Sequence, residues 1–173
     1  MPLIKNGIET TDDWILVADD AELPADGKAV VSLKRWQEQK AQLEQRNAPL
    51  GLSLPNTAAP EELNGDVHRF ALIALNFPKF SDGRAYSQAR VLREHLGYQG
   101  ELRATGQVLR DQLLYMHRAG FDAFEINRPD AEKVFKAALQ EMTVFYQPTG
   151  DDRATAQNVR LGLQQRLARK AGL

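Results

Sequence analysis

Two short segments of this chain, residues 79–84 and 105–107, combine small residues, hydroxyls and cations in a way that suits anion binding. Each follows an apolar run and opens a helical pattern, so backbone N–H groups and arginines converge there. Arg103 lies between the two segments and is a second guanidinium that could pair with Arg84 around a sulfite, sulfate or phosphate group. We therefore predict a ligand site built from Lys79, Ser81, Asp82, Gly83, Arg84, Arg103, Thr105 and Gly106.

Three carboxylates near these segments are candidates for acid or base chemistry: Asp82, Asp111 and Glu125. Together with arginine clamps they would suit an enzyme acting on a small anionic substrate. The structural alternative is that Asp82 caps a helix and Arg84 pairs with Asp82 or Asp111. The sequence leaves open whether the side chains of Arg103 and Tyr86 point toward such a site or into the core.

The residue types that are missing exclude several chemistries. The chain has no cysteine, so thiolate nucleophiles, disulfides and cysteine-ligated clusters are ruled out. Its three histidines, His68, His95 and His117, form no metal-binding array, and we predict no metal site. Neither a nicotinamide fingerprint nor a phosphate-binding P-loop is present. A flavin held by its phosphate between the two loops is the one cofactor left open.

Apolar runs alternate with helical patterns along most of the chain. A nearly continuous apolar run at 70–77 is typical of a strand covered on both faces. The pattern as a whole predicts strands at 14–18, 29–33, 51–54, 70–77, 101–104, 121–126 and 143–146. It predicts helices at 34–46, 85–96, 107–119 and 131–142, with a helical turn at 60–63.

Successive strand–helix–strand units with short connections indicate parallel strands. We predict one α/β domain over residues 1–148, clearest at 70–147, with a mainly parallel sheet that is open or resembles an incomplete barrel. Residues 149–173 form a polar, basic tail or helix. Val159, Leu163 and Leu167 could dock that helix on the domain or a partner, and the alternative is a solvated helix.

Charge and hydropathy predict a cytoplasmic protein. A net charge of −1 gives no general attraction to nucleic acid or to an anionic membrane. The N-terminal segment lacks the apolar core of a secretory signal. No apolar run reaches the length of about 20 residues that a membrane span requires.

Several motifs resemble those of a known family. FPKFSDGRAYSQAR at 77–90 and GELRATGQVLRDQ at 100–112 are specific, and Asp12-x-Trp14 and Phe145-Tyr146-Gln147 fit the same pattern. Over roughly residues 10–148 the chain resembles the bacterial family called domain of unknown function 934. Gln107 departs from that pattern, because an acid such as aspartate is expected there.

The resemblance implies an oxidoreductase or an accessory protein of assimilatory sulfite reduction, a description based on gene neighbourhood. It supplies no catalytic residues to carry over. The implied partners are sulfite reductase or its electron donor, with Phe80 and the basic tail as contact surfaces. The alternatives are a non-catalytic adaptor and a regulatory module that binds a sulfur metabolite.

Overall fold

The structure is a computed structural model that describes residues 2–149, 153 and 155–170. Within that part of the chain, one eight-stranded sheet curls into a half-barrel, with five α-helices. The strands are β1 (Leu3–Lys5), β2 (Ile8–Thr10), β3 (Trp14–Leu16), β4 (Lys28–Ser32), β5 (Leu50–Leu54), β6 (Leu72–Phe77), β7 (Glu101–Gly106) and β8 (Ala123–Glu125). The helices are α1 (Leu33–Leu43), α2 (Arg84–Arg90), α3 (Leu113–Arg118), α4 (Ala131–Gln140) and α5 (Ala156–Lys170).

Strands β3 to β8 are parallel and stand in sequence order across the sheet. Because each strand pairs with the next one along the chain, the winding does not reverse and the sheet curls toward a barrel. The predicted α/β class and mainly parallel sheet are confirmed. Of the two alternatives left by the sequence, the barrel-like curl is the one that forms.

An N-terminal hairpin that the sequence analysis missed completes the sheet. Strand β1 pairs antiparallel with β8, and β2 pairs antiparallel with β1. Asn6 and Gly7 turn the hairpin with φ of 50° and 81°. Such a turn favours an Asn-Gly pair, so this dipeptide was the feature of the sequence that indicated a hairpin.

The strand predicted at 143–146 is wrong. Phe145 makes only an isolated bridge with Thr155, and β8 is already paired with β1 on its outer side. The predicted helix at 107–119 begins later, because a 3₁₀ turn at Arg110–Gln112 precedes α3. A 3₁₀ helix at Pro60–Arg69 and a π-helical turn at Val91–His95, which continues α2, complete the regular structure.

The C-terminal helix α5 is present, and Val159, Leu161 and Leu163 on it are exposed. The predicted contact of Leu167 and the tail residues at 150–152, 154 and 171–173 lie outside the described residues and side chains. No helix in the described part of the chain is long and apolar enough to cross a membrane.

Helices α1 to α4 pack on one face of the sheet, and the other face forms the concave side of the half-barrel. Leu52, Ile73, Leu75, Leu102 and Phe124 are fully buried in the core beneath the helices. Since alternate residues of a strand point to opposite faces, their neighbours line the concave side. That alternation places the polar groups described below.

Gly106 ends β7 in a conformation that only glycine adopts easily, with φ of 86°. A Cβ there would lie 2.4 Å from the side-chain oxygen of Asn76 and 2.6 Å from the carbonyl oxygen of Phe77. The end of β7 therefore has no room for a side chain.

We expect Gly106→Ala to lower the free energy of unfolding by roughly 2–5 kcal/mol, from left-handed strain and overpacking together. Urea unfolding measures the change. Gly65→Ala is the control, because a Cβ at Gly65 meets nothing within 4 Å. A loss at Gly106 no larger than at Gly65 would contradict this close packing.

Candidate functional site

The two loops predicted to form a ligand site meet at the carboxyl edge of the sheet. The backbone N–H of Phe80 donates to Oε1 of Gln107 at 2.9 Å, and Nε2 of Gln112 donates to the Phe80 carbonyl at 3.2 Å. The Gln107 N–H donates to the Phe77 carbonyl at 2.8 Å. The loops after β6 and β7 therefore form one surface, the carboxyl-edge surface, made of residues 78–84 and 105–107. Ligands of parallel α/β folds usually bind at the carboxyl edge of the sheet.

Gln107, which departs from the family pattern, acts here as a hydrogen-bond acceptor that holds the neighbouring loop. A carboxylate at the same position could accept the same bond. The difference in residue type is therefore compatible with this bracing contact.

Arg84 and Asp82 form a closed ion pair on the carboxyl-edge surface. Nε and Nη2 of Arg84 donate to the two oxygens of Asp82 at 3.0 and 2.7 Å. Asp82 also accepts from the Arg84 N–H at 3.2 Å and from Nδ2 of Asn56 at 2.7 Å. Chiefly through the hydrogen bond from Arg84, the pKa of Asp82 falls to about 2. Asp82 is thus a brace that stays ionised, and a poor base.

Other predicted residues at this edge differ in how they are used. Gly83 precedes the first residue of α2. Thr105 donates to the Leu75 carbonyl at 3.3 Å. Lys79 and Ser81 are exposed, and neither side chain has a hydrogen-bond or ion-pair partner in the described part of the chain. Lys79 therefore supplies an uncompensated positive charge at this edge.

Arg103 is held elsewhere, inside the concave face. Its Nε and Nη2 donate to Oε1 of Glu101 at 2.9 and 2.7 Å, and its Nη1 donates to Asp12 at 2.7 Å. Glu125 lies 3.6 Å from Nη1, and Lys5 pairs with the second oxygen of Glu101 at 2.7 Å. Arg103 is 3% exposed. Its charge is satisfied by these carboxylates, which argues against a clamp formed jointly with Arg84.

A row of polar side chains follows the carboxyl ends of five consecutive parallel strands on the concave face. Each member is the last or second-to-last residue of its strand: Ser32, Ser53, Asn76, Thr105 and Glu125. Sequence reasoning identified only Thr105 and Glu125. Ser32, Ser53 and Asn76 could have been found from their alternation with core residues along each strand.

Glu125 differs from Asp82 in the direction of its pKa shift. Burial raises its pKa, the nearby charge of Asp12 raises it further, and Arg103 opposes both effects. Asp111 is exposed in the 3₁₀ turn before α3. Of the predicted set, Glu125 is therefore the partly buried carboxyl group whose raised pKa best suits acid or base chemistry.

The Asp12-x-Trp14 segment covers part of the concave face. Oδ1 of Asp12 accepts from the Trp14 N–H at 3.2 Å while Oδ2 binds Arg103. The Trp14 ring packs on Val30 and Leu72, and a Cβ on Gly51 would lie 3.1 Å from it. The small residue in β5 thus makes room for the tryptophan.

Residues 51–157, more than half of the chain, match the profile of a family described as bacterial proteins of unknown function, DUF934. The chain belongs to this family. No curated protein matches the chain significantly. The DUF934 match contains both loops of the carboxyl-edge surface, Arg103 and Glu125, whereas Asp12 and Trp14 precede it.

We expect Asp12→Asn to lower the pKa of Glu125. The substitution removes a negative charge that raises this pKa, and it frees a donor of Arg103 for Glu125. Carboxyl-carbon NMR titration of Glu125 measures the shift. Asp13→Asn is the matched control, because Asp13 pairs with Lys28. An unchanged Glu125 titration in Asp12→Asn would refute the coupling.

Proposed function

We propose that this protein binds a small oxyanion at its carboxyl-edge surface and acts as an accessory or oxidoreductase-associated protein of assimilatory sulfite reduction. The observation that carries the binding site is that Lys79 has no partner in the described part of the chain, whereas the other two predicted cations are paired. Arg84 is neutralised by Asp82, and Arg103 by Glu101 and Asp12. The link to sulfite rests on what the family resemblance implies, a description based on gene neighbourhood.

The same geometry favours binding over turnover at this edge. Its nearest candidate base, Asp82, is held ionised by Arg84, and its pKa of about 2 makes it a weak proton acceptor. An enzymatic role would instead require Glu125 on the concave face. The ionised Asp82 therefore supports the alternative of a non-catalytic adaptor or of a regulatory module for a sulfur metabolite.

The proposed partner is sulfite reductase or its electron donor, and Phe80 is a suitable contact. This side chain is 56% exposed, although its backbone is fixed by Gln107 and Gln112. An exposed aromatic side chain on a fixed backbone loses little conformational freedom when a partner buries it. It also adjoins Lys79 in sequence, so a partner and an oxyanion would use one surface.

We expect Lys79→Ala to weaken sulfite binding by about 10-fold or more, since a hydrogen bond to a charged group contributes roughly 1.5–3 kcal/mol. Anaerobic isothermal titration calorimetry with sulfite and with sulfate measures the change. Lys28→Ala is the control, because it removes the same charge at the start of β4, on the opposite edge. Equal sulfite affinity in wild type and Lys79→Ala would exclude the proposed site.

A further inference from the structure

A cavity of about 890 Å³ lies between α2 and α3, on the helical side of the sheet. It is lined by none of the residues of the carboxyl-edge surface or of the concave face described above. Tyr86, Arg90 and Arg93 line it from α2 and the π-helical turn, and Tyr115 and Arg118 line it from α3. Residues 147–149 form a further wall. Its volume lies in the range of sites for small organic ligands and far exceeds the size of one oxyanion.

The cavity is a positively charged region of a slightly acidic protein. Its lining contains three arginines and one carboxylate, that of Glu94, whereas the whole chain has a net charge of −1. Guanidinium groups are well suited to phosphate, because they donate several hydrogen bonds in one plane. The charge of the lining therefore favours an anionic ligand.

Arg93 is fixed in position before any ligand binds. Its Nε donates to the Gly120 carbonyl at 2.9 Å, and its Nη1 donates to the carbonyls of Tyr98 and Gly100 at 2.7 and 2.9 Å. Its Nη2 donates to Asp122 at 2.9 Å. A Cβ on Gly120 would lie 2.6 Å from Cγ of Arg93, so the backbone there must be glycine for this arginine to fit. Arg93, whose charge is paired with Asp122, therefore forms a fixed part of the cavity wall.

Arg90 supplies the donors that remain available. Its Nε donates to Glu94 at 2.8 Å, but its two terminal nitrogens have no acceptor in the described part of the chain. The π-helical turn begins at the next residue, and Leu96 donates to the Val91 carbonyl at 2.9 Å. Such π turns in helices are frequent at functional sites.

Two tyrosines give the cavity an aromatic wall. Tyr86 packs edge-on against Phe77 with ring centroids 5.1 Å apart, so its ring is fixed by the core. Tyr115 is 55% exposed and free to be covered by a flat ligand. Aromatic rings stack on nucleobases and flavins, and arginines add a cation–π contribution.

We propose that this cavity binds a mononucleotide-class ligand, a planar heterocycle that carries a phosphate. The terminal nitrogens of Arg90 receive the phosphate, Arg93 forms a fixed part of the wall, and Tyr115 covers the ring. This site is separate from the carboxyl-edge surface and does not depend on the proposed role in sulfite reduction. It would place a nucleotide or flavin on the convex side of the half-barrel.

Titration of the full chain with flavin mononucleotide, followed by flavin fluorescence, and with AMP, followed by calorimetry, tests the proposal. We expect Arg90→Ala and Tyr115→Ala each to weaken binding by about 10-fold, the effect of losing about 1.4 kcal/mol. Both side chains are largely exposed, so neither substitution should unfold the protein. Arg128→Ala, which removes another exposed arginine that is paired with a carboxylate, Asp130, should leave the affinity unchanged.

Lys79→Ala separates this proposal from the previous one, because it should reduce sulfite binding and leave nucleotide binding intact. The cavity would lose its assignment if neither flavin mononucleotide nor AMP bound, or if Arg90→Ala and Tyr115→Ala bound them as wild type does. Binding of inorganic phosphate as tightly as AMP would also overturn it, since the ring would then contribute nothing.

Discussion

The ion pairs that the buried guanidinium of Arg103 makes are the interactions on which the rest of this structure depends. Burying a charge in a sheet is costly unless it is paired and hydrogen-bonded, and removing one partner of such a pair costs about 3–5 kcal/mol. Arg103 meets this requirement with Glu101 on its own strand and Asp12 from a segment 91 residues earlier. Burial alone would lower the pKa of Arg103, but its bonds to Asp12 and Glu101 raise it.

The position of the N-terminal segment follows from that pairing. Asp12 can reach Arg103 only if the chain crosses the concave face, and Trp14 then packs over Gly51 of β5. The charge of Arg103 is thereby neutralised within the fold, as the charge of Arg84 is neutralised by Asp82. Lys79 remains as the unpaired cation among the predicted site residues in the described part of the chain. The paired cations, Arg84 and Arg103, stabilise the fold, whereas the unpaired Lys79 is available to a ligand.

The sequence predicted the parallel α/β units well because their determinants are local. Strand β6 is apolar except for Asn76, and α1 has Ser32 as a cap whose side chain accepts from the Arg35 N–H. The strand predicted at 143–146 failed because its apolar residues had no free strand to pair with. Apolar alternation does not show whether a partner strand is available.

The site was only partly predictable for a related reason. Period-two alternation places Arg103 on the same face as Glu101 and Thr105, but it does not show which face is concave or that Asp12 lies opposite. The pairing of Arg84 with Asp82 was one of the alternatives, since the two residues are close in sequence. Contacts between residues distant in sequence, such as Gln107 with Phe80, required the structure.

Complementation of a strain lacking this gene, grown with sulfite or sulfide as the sole sulfur source, tests the central claim most directly. The strain should grow on sulfide and fail on sulfite. The wild-type gene and Lys28→Ala should restore growth on sulfite, whereas Lys79→Ala should not. Normal growth of the deletion strain on sulfite, with no second copy of the gene, would contradict the role in sulfite reduction. Full rescue by Lys79→Ala would contradict the assignment of that role to the carboxyl-edge surface.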